Sequence, residues 1–91
     1  MLEREIEAYL VRRVAQRGGK AYKFVSPGNA GVPDRLVVLP GGKMFFVECK
    51  APGEKPRPLQ VAQISKLERL GCQVFVIDSK ERVDEVMEDG K

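Results

Sequence analysis

The spacing of apolar residues along the chain predicts alternating helical and extended segments. Ile6, Leu10 and Val14 recur at helical spacing, which predicts a first helix over residues 2–17 that ends at two glycines. Later segments are short apolar runs typical of strands, interrupted by a second stretch with helical period. The pattern predicts strands at 20–26, 34–39, 43–50 and 72–77, and helices at 59–70 and about 79–89.

This order of elements predicts the fold class α/β, with a mixed sheet and helices packed on it. The first three strands are expected to form an antiparallel meander, whose second turn is Pro40-Gly41-Gly42. The fourth strand follows a helix, so it is expected to join the sheet in parallel through a right-handed crossover. The turns at 27–33 and the three prolines within 51–58 interrupt the pattern only locally, so residues 1–91 are interpreted as one domain.

The pattern also predicts which side chains enter the core. Tyr22 and Phe24 alternate on the first strand and are expected to be core residues, and the strand at 72–77 is expected to be buried. Asp78 and Glu81 stand at capping-box spacing where the last helix begins. The predicted apolar side of the helix at 59–70 consists of Leu59, Ala62, Ile64, Leu67 and Leu70.

The composition is that of a small globular chain. Of its 91 residues, 43% are hydrophobic and 32% are charged; a core of this size stabilises a domain only marginally, so a homodimer is expected. No apolar run approaches the roughly 20 residues of a membrane span, and the acidic N-terminus does not resemble a signal peptide. Two cysteines without a CxxC motif, and no histidine, argue against zinc and fit a reducing, cytoplasmic location.

Positive charge is concentrated in the first two-thirds of the chain. Residues 1–58 carry 11 Lys and Arg against 6 Asp and Glu, whereas residues 59–91 carry 5 against 7. This imbalance favours a polyanionic partner such as nucleic acid. A solvated surface without a partner is the alternative, and a net charge of +3 does not decide between the two.

Charged residues flank the most hydrophobic hairpin. If Gly41 is the centre of a three-residue turn, residue i lies opposite residue 82 − i, which places Asp34 opposite Glu48. A two-residue Gly41-Gly42 turn would shift this pairing by one residue. Because Lys50 lies two residues after Glu48, it shares the same face of the sheet. The three-residue turn therefore brings two carboxylates and one ammonium group together.

Two adjacent carboxylates repel each other unless a cation compensates their charge. Oxygen ligands favour Mg²⁺ or Mn²⁺, and a neighbouring lysine would orient water or neutralise a phosphate. Together these groups suit metal-assisted phosphodiester hydrolysis. For an isolated E-x-K triplet, a surface salt bridge between Lys50 and either carboxylate is the alternative interpretation.

These residues resemble the PD-(D/E)xK nuclease signature, and the closer resemblance is to its VRR-Nuc (virus-type replication-repair nuclease) branch. The predicted αβββαβ order, with a further helix, is also the restriction-endonuclease-like core of that superfamily. The resemblance covers about residues 3–78. The matching segments are Gly31-Val32-Pro33-Asp34, Glu48-Cys49-Lys50, Ala51-Pro52-Gly53 and the helix-opening Gln60.

The resemblance implies a role for each matching residue. Asp34 and Glu48, with the backbone carbonyl of Cys49, resemble the ligands of Mg²⁺ or Mn²⁺. Lys50 resembles the catalytic lysine that positions or activates water. Gln60 resembles the family glutamine that supports the site.

Two further positions match the family less directly. Family members also use a glutamate on the first helix, for which Glu7 is the preferred match and Glu3 the rival. A solvated Glu7 that pairs with Arg4 or Arg12 is the alternative. Ser or Thr often precedes the Pro-x-Gln of the second helix, whereas this chain has Arg57, which leaves the start of that helix open.

Polar residues near the candidate site are candidate DNA contacts. Ser26 and Asn29 are equally well explained as turn formers, and each lysine or arginine as ordinary surface. The side chain of Cys49 is expected to point to the opposite, buried face. The candidate contacts are Lys20, Lys23, Ser26, Asn29, Arg35, Lys55 and Arg57.

The resemblance implies a metal-dependent deoxyribonuclease. A chain that is almost only the catalytic core suggests structure-selective cutting of branched DNA such as four-way (Holliday) junctions, and a two-fold homodimer would place two symmetric cuts. A flap- or nick-directed nuclease and a non-catalytic nucleic-acid-binding module with the same fold are the alternatives. A role in DNA repair and a viral or bacterial origin would fit such an activity.

Overall fold

The computed structural model describes residues 1–89, in which three helices pack on a four-stranded sheet. The strands lie in the order β1-β2-β3-β4, with β1, β2 and β3 antiparallel and β4 parallel to β3. The predicted α/β class, mixed sheet and order of elements are therefore confirmed. The elements are α1 (Glu3–Gln16), β1 (Lys20–Lys23), β2 (Arg35–Leu39), β3 (Lys43–Cys49), α2 (Pro58–Arg69), β4 (Val74–Ile77) and α3 (Lys80–Asp89).

All four strands are shorter than predicted: β2 and β3 by one residue, β4 by two and β1 by three. The β1 ladder ends at Lys23, although the Phe24 N–H still donates to the Asp34 carbonyl at 2.7 Å. The β4 strand begins at Val74 because the preceding residues close the end of α2, where the Cys72 N–H donates to the Leu67 carbonyl at 3.0 Å. The end of α2 thus takes up the Cys72 N–H, which β4 would otherwise have used.

The start of α3 is capped by a different residue from the one predicted. The Ser79 hydroxyl accepts a hydrogen bond from the Arg82 N–H at 3.0 Å, so Ser79 is the N-cap. The Asp78 carboxylate instead accepts from the Gly53 N–H at 3.1 Å, on the segment that follows β3. The predicted capping box at Asp78 and Glu81 is therefore wrong.

The hydrophobic core lies between one face of the sheet and the helices α1 and α3. The two helices are also joined by polar contacts, since the Tyr9 hydroxyl and the Arg13 guanidinium both donate to the Asp84 carboxylate. Strand alternation directs every second side chain into this core. Its buried residues are Ile6, Leu10, Val14, Ala21, Val37, Leu39, Phe45, Val47, Cys49, Ile77, Val83, Val86 and Met87.

The opposite face of the sheet, here called the open face, is largely uncovered because α2 packs mainly against β4. The prediction that Tyr22 is a core residue is wrong, since it is 50% exposed. Phe24 is only half-buried, where it contacts the Phe46 ring edge-on. The predictions of a buried β4 and a packed apolar side on α2 also fail, with Leu70 81% exposed. The outward strand residues are Lys20, Tyr22, Leu36, Val38, Met44, Phe46, Val74 and Val76.

A glycine holds the Pro-Asp turn close to α2. Gly31 has φ +94°, and a Cβ atom there would lie 2.7 Å from the Leu59 carbonyl oxygen. The backbone of the turn can approach the first turn of α2 this closely because Gly31 has no side chain. This contact sets the position of α2 relative to Asp34, which follows three residues later.

We expect Gly31→Ala to destabilise the protein more than Gly28→Ala. Both glycines have positive φ, but a Cβ at Gly28 would meet no atom within 4 Å. Both variants lose the favourable backbone conformation, at a cost of about 1–3 kcal/mol. Only Gly31→Ala adds the clash with Leu59, which should add a further 1–3 kcal/mol or so. Urea unfolding of the two variants measures the difference, and equal costs would contradict the proposed contact.

Candidate active site

The hairpin register brings the two predicted carboxylates together. Leu39 pairs with Lys43 and Arg35 pairs with Val47, which is the register predicted from a three-residue turn. The Gly42 N–H closes that turn by donating to the Leu39 carbonyl at 3.1 Å. Asp34 and Glu48 occupy the next opposed positions, where antiparallel partners place their Cβ atoms about 4.5–5.5 Å apart.

Glu48 is a buried carboxylate with one satisfied oxygen. Glu48 is only 1% exposed to solvent. The Gln60 amide donates to Oε2 at 2.8 Å, and the Lys50 ammonium lies 3.4 Å from the same atom. Among the residues that the structure describes, Oε1 of Glu48 has no hydrogen-bond partner. A buried, unpartnered carboxylate oxygen is unfavourable, so this atom is the natural place for a ligand.

Burial and mutual repulsion act on both carboxyl groups. Burial raises the pKa of Glu48 above its ordinary value and the Asp34 carboxylate raises it further, whereas Lys50 opposes both effects. Burial also raises the pKa of Asp34; Lys23 and Lys50 oppose this rise, and Glu7 adds to it. The charged form of each carboxyl is therefore disfavoured, mainly by burial, and a bound cation would offset that cost.

Two backbone contacts fix the supporting residues. The Lys50 N–H donates to the Ile77 carbonyl at 2.9 Å, which anchors this 6% exposed residue at the end of the β3–β4 pair. Gln60 uses its amide oxygen to accept from the Arg57 N–H at 2.8 Å, which leaves its NH₂ group directed at Glu48. Gln60 thus satisfies the Arg57 N–H at the start of α2, where Arg57 stands in place of a capping Ser or Thr. The helix begins at Pro58, within one residue of the prediction.

Glu7 lies on α1 beside the site and pairs with basic strand residues. Arg35 Nε donates to the Glu7 carboxylate at 2.8 Å, and the Lys23 ammonium lies 3.7 Å from the same oxygen. Arg35 also donates to the Ala21 carbonyl at 3.1 Å. The alternative stated from the sequence paired Glu7 with Arg4 or Arg12. The Arg35 partner could not be foreseen, because tertiary packing decides which strand residue lies beside Glu7.

The donor set suits a hard divalent ion held by a few oxygens. No group of three His, Cys, Asp or Glu side chains converges on a metal position within the described part of the chain. Asp34 and Glu48 nevertheless occupy opposed strand positions, Cys49 follows Glu48 in the chain, and Glu48 has a buried oxygen without a partner among the described residues. Mg²⁺ keeps several water ligands and needs only one or two carboxylates, so this set fits it.

The remaining predicted residues differ in position, and Lys20 lies away from this centre because it pairs with Val38, four residues along the chain from Asp34. The Asn29 amide donates to the Ser26 hydroxyl at 2.9 Å, so these two residues form the turn before the Pro-Asp segment. Lys55 and Arg57 are exposed on the segment that leads into α2, and the Lys20 ammonium lies over the Tyr22 ring.

The thiol of Cys49 lies in the core, as predicted. The residue is fully buried on the face that packs against α1 and α3. Burial, together with the carboxylates of Glu7 and Asp34, raises the pKa of the thiol to about 12. A thiol in this state is neutral at physiological pH and is not a nucleophile.

The fold and the paired carboxylates with an adjacent lysine define the class of restriction-endonuclease-like nucleases. No family model matches the chain. The chain is 61% identical over 79 residues to "Putative nuclease p44" of Acyrthosiphon pisum secondary endosymbiont phage 1, a match that covers 87% of this chain and 85% of that protein. It is also similar to a solved "VRR_NUC domain", with a TM-score of 0.88, 36% identity and 94% of both chains covered. The chain therefore belongs to the VRR-Nuc family of nucleases.

The raised carboxyl pKa values predict how stability depends on pH without metal. A carboxyl group whose pKa is raised in the folded protein binds its proton more tightly there than in the unfolded chain. The folded protein therefore loses stability as the pH rises from the unfolded pKa through the folded pKa. In EDTA, the free energy of unfolding should therefore fall between about pH 4 and neutrality. Asp34→Asn removes one charge of the pair and should flatten this fall.

Urea unfolding across this pH range measures the effect, with the exposed Glu68→Gln as control. The control should follow the wild-type curve. A wild-type stability that rises with pH in EDTA, or an Asp34→Asn curve identical to wild type, would contradict the account of the pair.

Proposed function

We propose that this protein is a metal-dependent endonuclease that hydrolyses phosphodiester bonds in DNA. The observation that carries the proposal is the buried Glu48 carboxylate, whose Oε1 has no partner among the described residues. A cation shared with Asp34 would offset both the desolvation of Glu48 and the repulsion between the two carboxylates. Membership of the VRR-Nuc family supports the same conclusion from a different direction.

We assign the metal ligands to Asp34, Glu48 and the backbone carbonyl of Cys49, with Glu7 as the further acid of the site. These hard oxygen donors favour Mg²⁺ or Mn²⁺. When bound, the ion supplies Lewis-acid stabilisation of the phosphate and lowers the pKa of a coordinated water. The Glu7 carboxylate already pairs with Arg35, and its negative charge acts on Asp34.

Lys50 is assigned a role on the substrate, and Gln60 is assigned a role in orienting Glu48. The Lys50 ammonium is nearly buried, so its charge is little screened where it would hold the attacking water or neutralise the phosphate. Gln60 orients Glu48, because its amide is itself fixed by the start of α2. In this proposal Lys50 acts on the substrate, whereas Gln60 positions the metal ligand Glu48.

DNA contacts are assigned to the basic and polar residues around this centre. Lys55 and Arg57 are the best placed, because both are exposed and lie directly before Gln60. Such residues bind phosphates without reading sequence. The further proposed contacts near the centre are Lys23, Ser26, Asn29 and Arg35. Lys20 is proposed as a more distant contact, since it pairs with Val38 at the other end of β1.

The proposed substrate is branched DNA, such as a four-way junction, and the proposed active form is a homodimer. Two copies related by a two-fold axis would present two sites for symmetric cuts. Such an enzyme would act where DNA is accessible, in the cytoplasm of a host cell, and the phage relative fits that setting. No helix within residues 1–89 is long and apolar enough to cross a membrane.

We expect Lys50→Ala to lower DNA cleavage by at least about 100-fold, because the variant removes the cation next to the reacting phosphate. The measurement is cleavage of labelled four-way-junction, flap, linear duplex and single-stranded DNA with Mg²⁺, with Mn²⁺ and with EDTA. Lys43→Ala is the matched control, since Lys43 lies at the other end of the same strand. It should cut like the wild type.

The substrate ranking separates junction cutting from flap- or nick-directed cutting. Full cleavage by Lys50→Ala, or equal cleavage in EDTA, would refute the assigned site. Binding to every substrate without cleavage by any preparation would instead favour the non-catalytic binding module.

A further inference from the structure

A basic groove runs along one edge of the sheet, between α1 and the end strand β1. We propose that this groove, here called the edge groove, holds the phosphate backbone of the DNA strand where that strand leads away from the candidate active site. The inference rests on the DNA substrate proposed above and adds the path that the substrate takes across the protein.

The edge groove is lined by cations. It has a volume of about 440 Å³, and Val11 and Ala15 of α1 form one wall. The other wall is β1 with the glycine before it. Three basic residues line the groove, which are Lys20, Lys23 and Arg35, and none of its described lining residues is acidic. A concave surface with charge of one sign attracts a ligand of the opposite charge, which here is a polyanion.

The inner end of the groove adjoins the candidate active site. Arg35 directly follows a candidate metal ligand in the chain, and its guanidinium donates to the Ala21 carbonyl of β1 at 3.1 Å. The same guanidinium donates to Glu7 at 2.8 Å, and the Lys23 ammonium lies 3.7 Å from that carboxylate. Two cations thus share one carboxylate at this end. With Lys20 at the other end, three cations against one carboxylate leave a net charge of +2.

The edge strand also offers backbone donors. The Phe24 N–H donates to the Asp34 carbonyl, and hydrogen-bonded pairs alternate with non-bonded pairs along an antiparallel ladder. Because Lys23 lies opposite Arg35, the next position in the register, the N–H groups of Lys23 and Ala21 point away from β2 toward the edge of the sheet. Backbone N–H groups are common phosphate ligands in protein–DNA complexes.

The length of the groove sets how many phosphates it can hold. The β1 strand rises about 10 Å from Lys20 to Lys23. One strand of B-DNA carries a phosphate about every 3.4 Å along the helix axis, so the groove spans about three phosphates. Lys23 pairs with Arg35 and Lys20 with Val38, so a bound strand would run from the active-site end of the sheet to its far end. Contacts to phosphates alone carry no base sequence.

The side chains of β1 favour DNA over a peptide that adds to the sheet. An exposed edge strand can pair with a further strand through main-chain hydrogen bonds. Lysines on an edge strand oppose such pairing, and both Lys20 and Lys23 are exposed. The same two charges attract phosphates, so the edge groove suits nucleic acid better than a β-strand.

Equilibrium binding of a labelled four-way junction in EDTA tests the groove apart from cleavage. Lys20→Ala removes a charge at the far end, and Ala15→Glu adds a carboxylate to the α1 wall. Lys43→Ala and Gln16→Glu are the matched controls. Lys43 lies at the same end of the sheet as Lys20 but two strands away, and Gln16 follows Ala15 on α1 but lies outside the groove lining. Circular dichroism melts confirm that each variant is folded.

The dissociation constant is measured over a range of KCl concentrations. Lys20→Ala should weaken binding about 5-fold and make the slope of log K against log salt shallower by about 0.9, because one counterion fewer is released. Ala15→Glu should weaken binding at least about 10-fold, since it places a carboxylate beside the phosphates. Both controls should keep the wild-type affinity and slope.

The outcomes separate this inference from the proposed nuclease. Unchanged affinity and slope in both groove variants would overturn the inference, as would a wild type that does not bind the junction. Groove-dependent binding by a wild type that cuts no DNA with Mg²⁺ or Mn²⁺ would support the groove and refute the nuclease.

Discussion

The rest of the site depends on one constraint, which is the burial of a carboxylate at the end of β3. Glu48 is 1% exposed, yet one of its oxygens has no partner in the described residues. Every neighbouring feature limits that cost: Gln60 donates to one oxygen, and Lys50 contributes a charge. Asp34 lies opposite, and its charge adds to the cost of ionising Glu48, so a cation bound by both carboxylates would stabilise the arrangement. A protein that needed only a fold would place an apolar residue there.

The two faces of the sheet differ in the side chains that they carry. The face under α1 and α3 carries the core, and hydrogen bonds from Tyr9 and Arg13 to Asp84 join the two helices. This rigid half holds the strand ends at which Asp34 and Glu48 stand. The other face carries the site at one end and an uncovered apolar surface along its length.

The register of the hairpin could be predicted from the sequence because it is local. The Pro40-Gly41-Gly42 turn allows few loop lengths, and one of them opposes Asp34 and Glu48. The exposure of Tyr22 and Leu70 could not be predicted, because the apolar pattern of a strand or helix is the same whether or not another element covers it. The Glu7–Arg35 pair was missed since it joins residues 28 apart in sequence through helix–sheet packing.

The most direct test of the central claim is calorimetric titration of metal-stripped protein with Mn²⁺, for wild type, Glu48→Gln and the exposed control Glu68→Gln. Glu48→Gln keeps the size of the side chain but removes its charge. The account predicts saturable Mn²⁺ binding to wild type and control, and an affinity at least about 100-fold weaker in Glu48→Gln. Equal affinity in all three proteins would show that the buried carboxylate does not bind the ion.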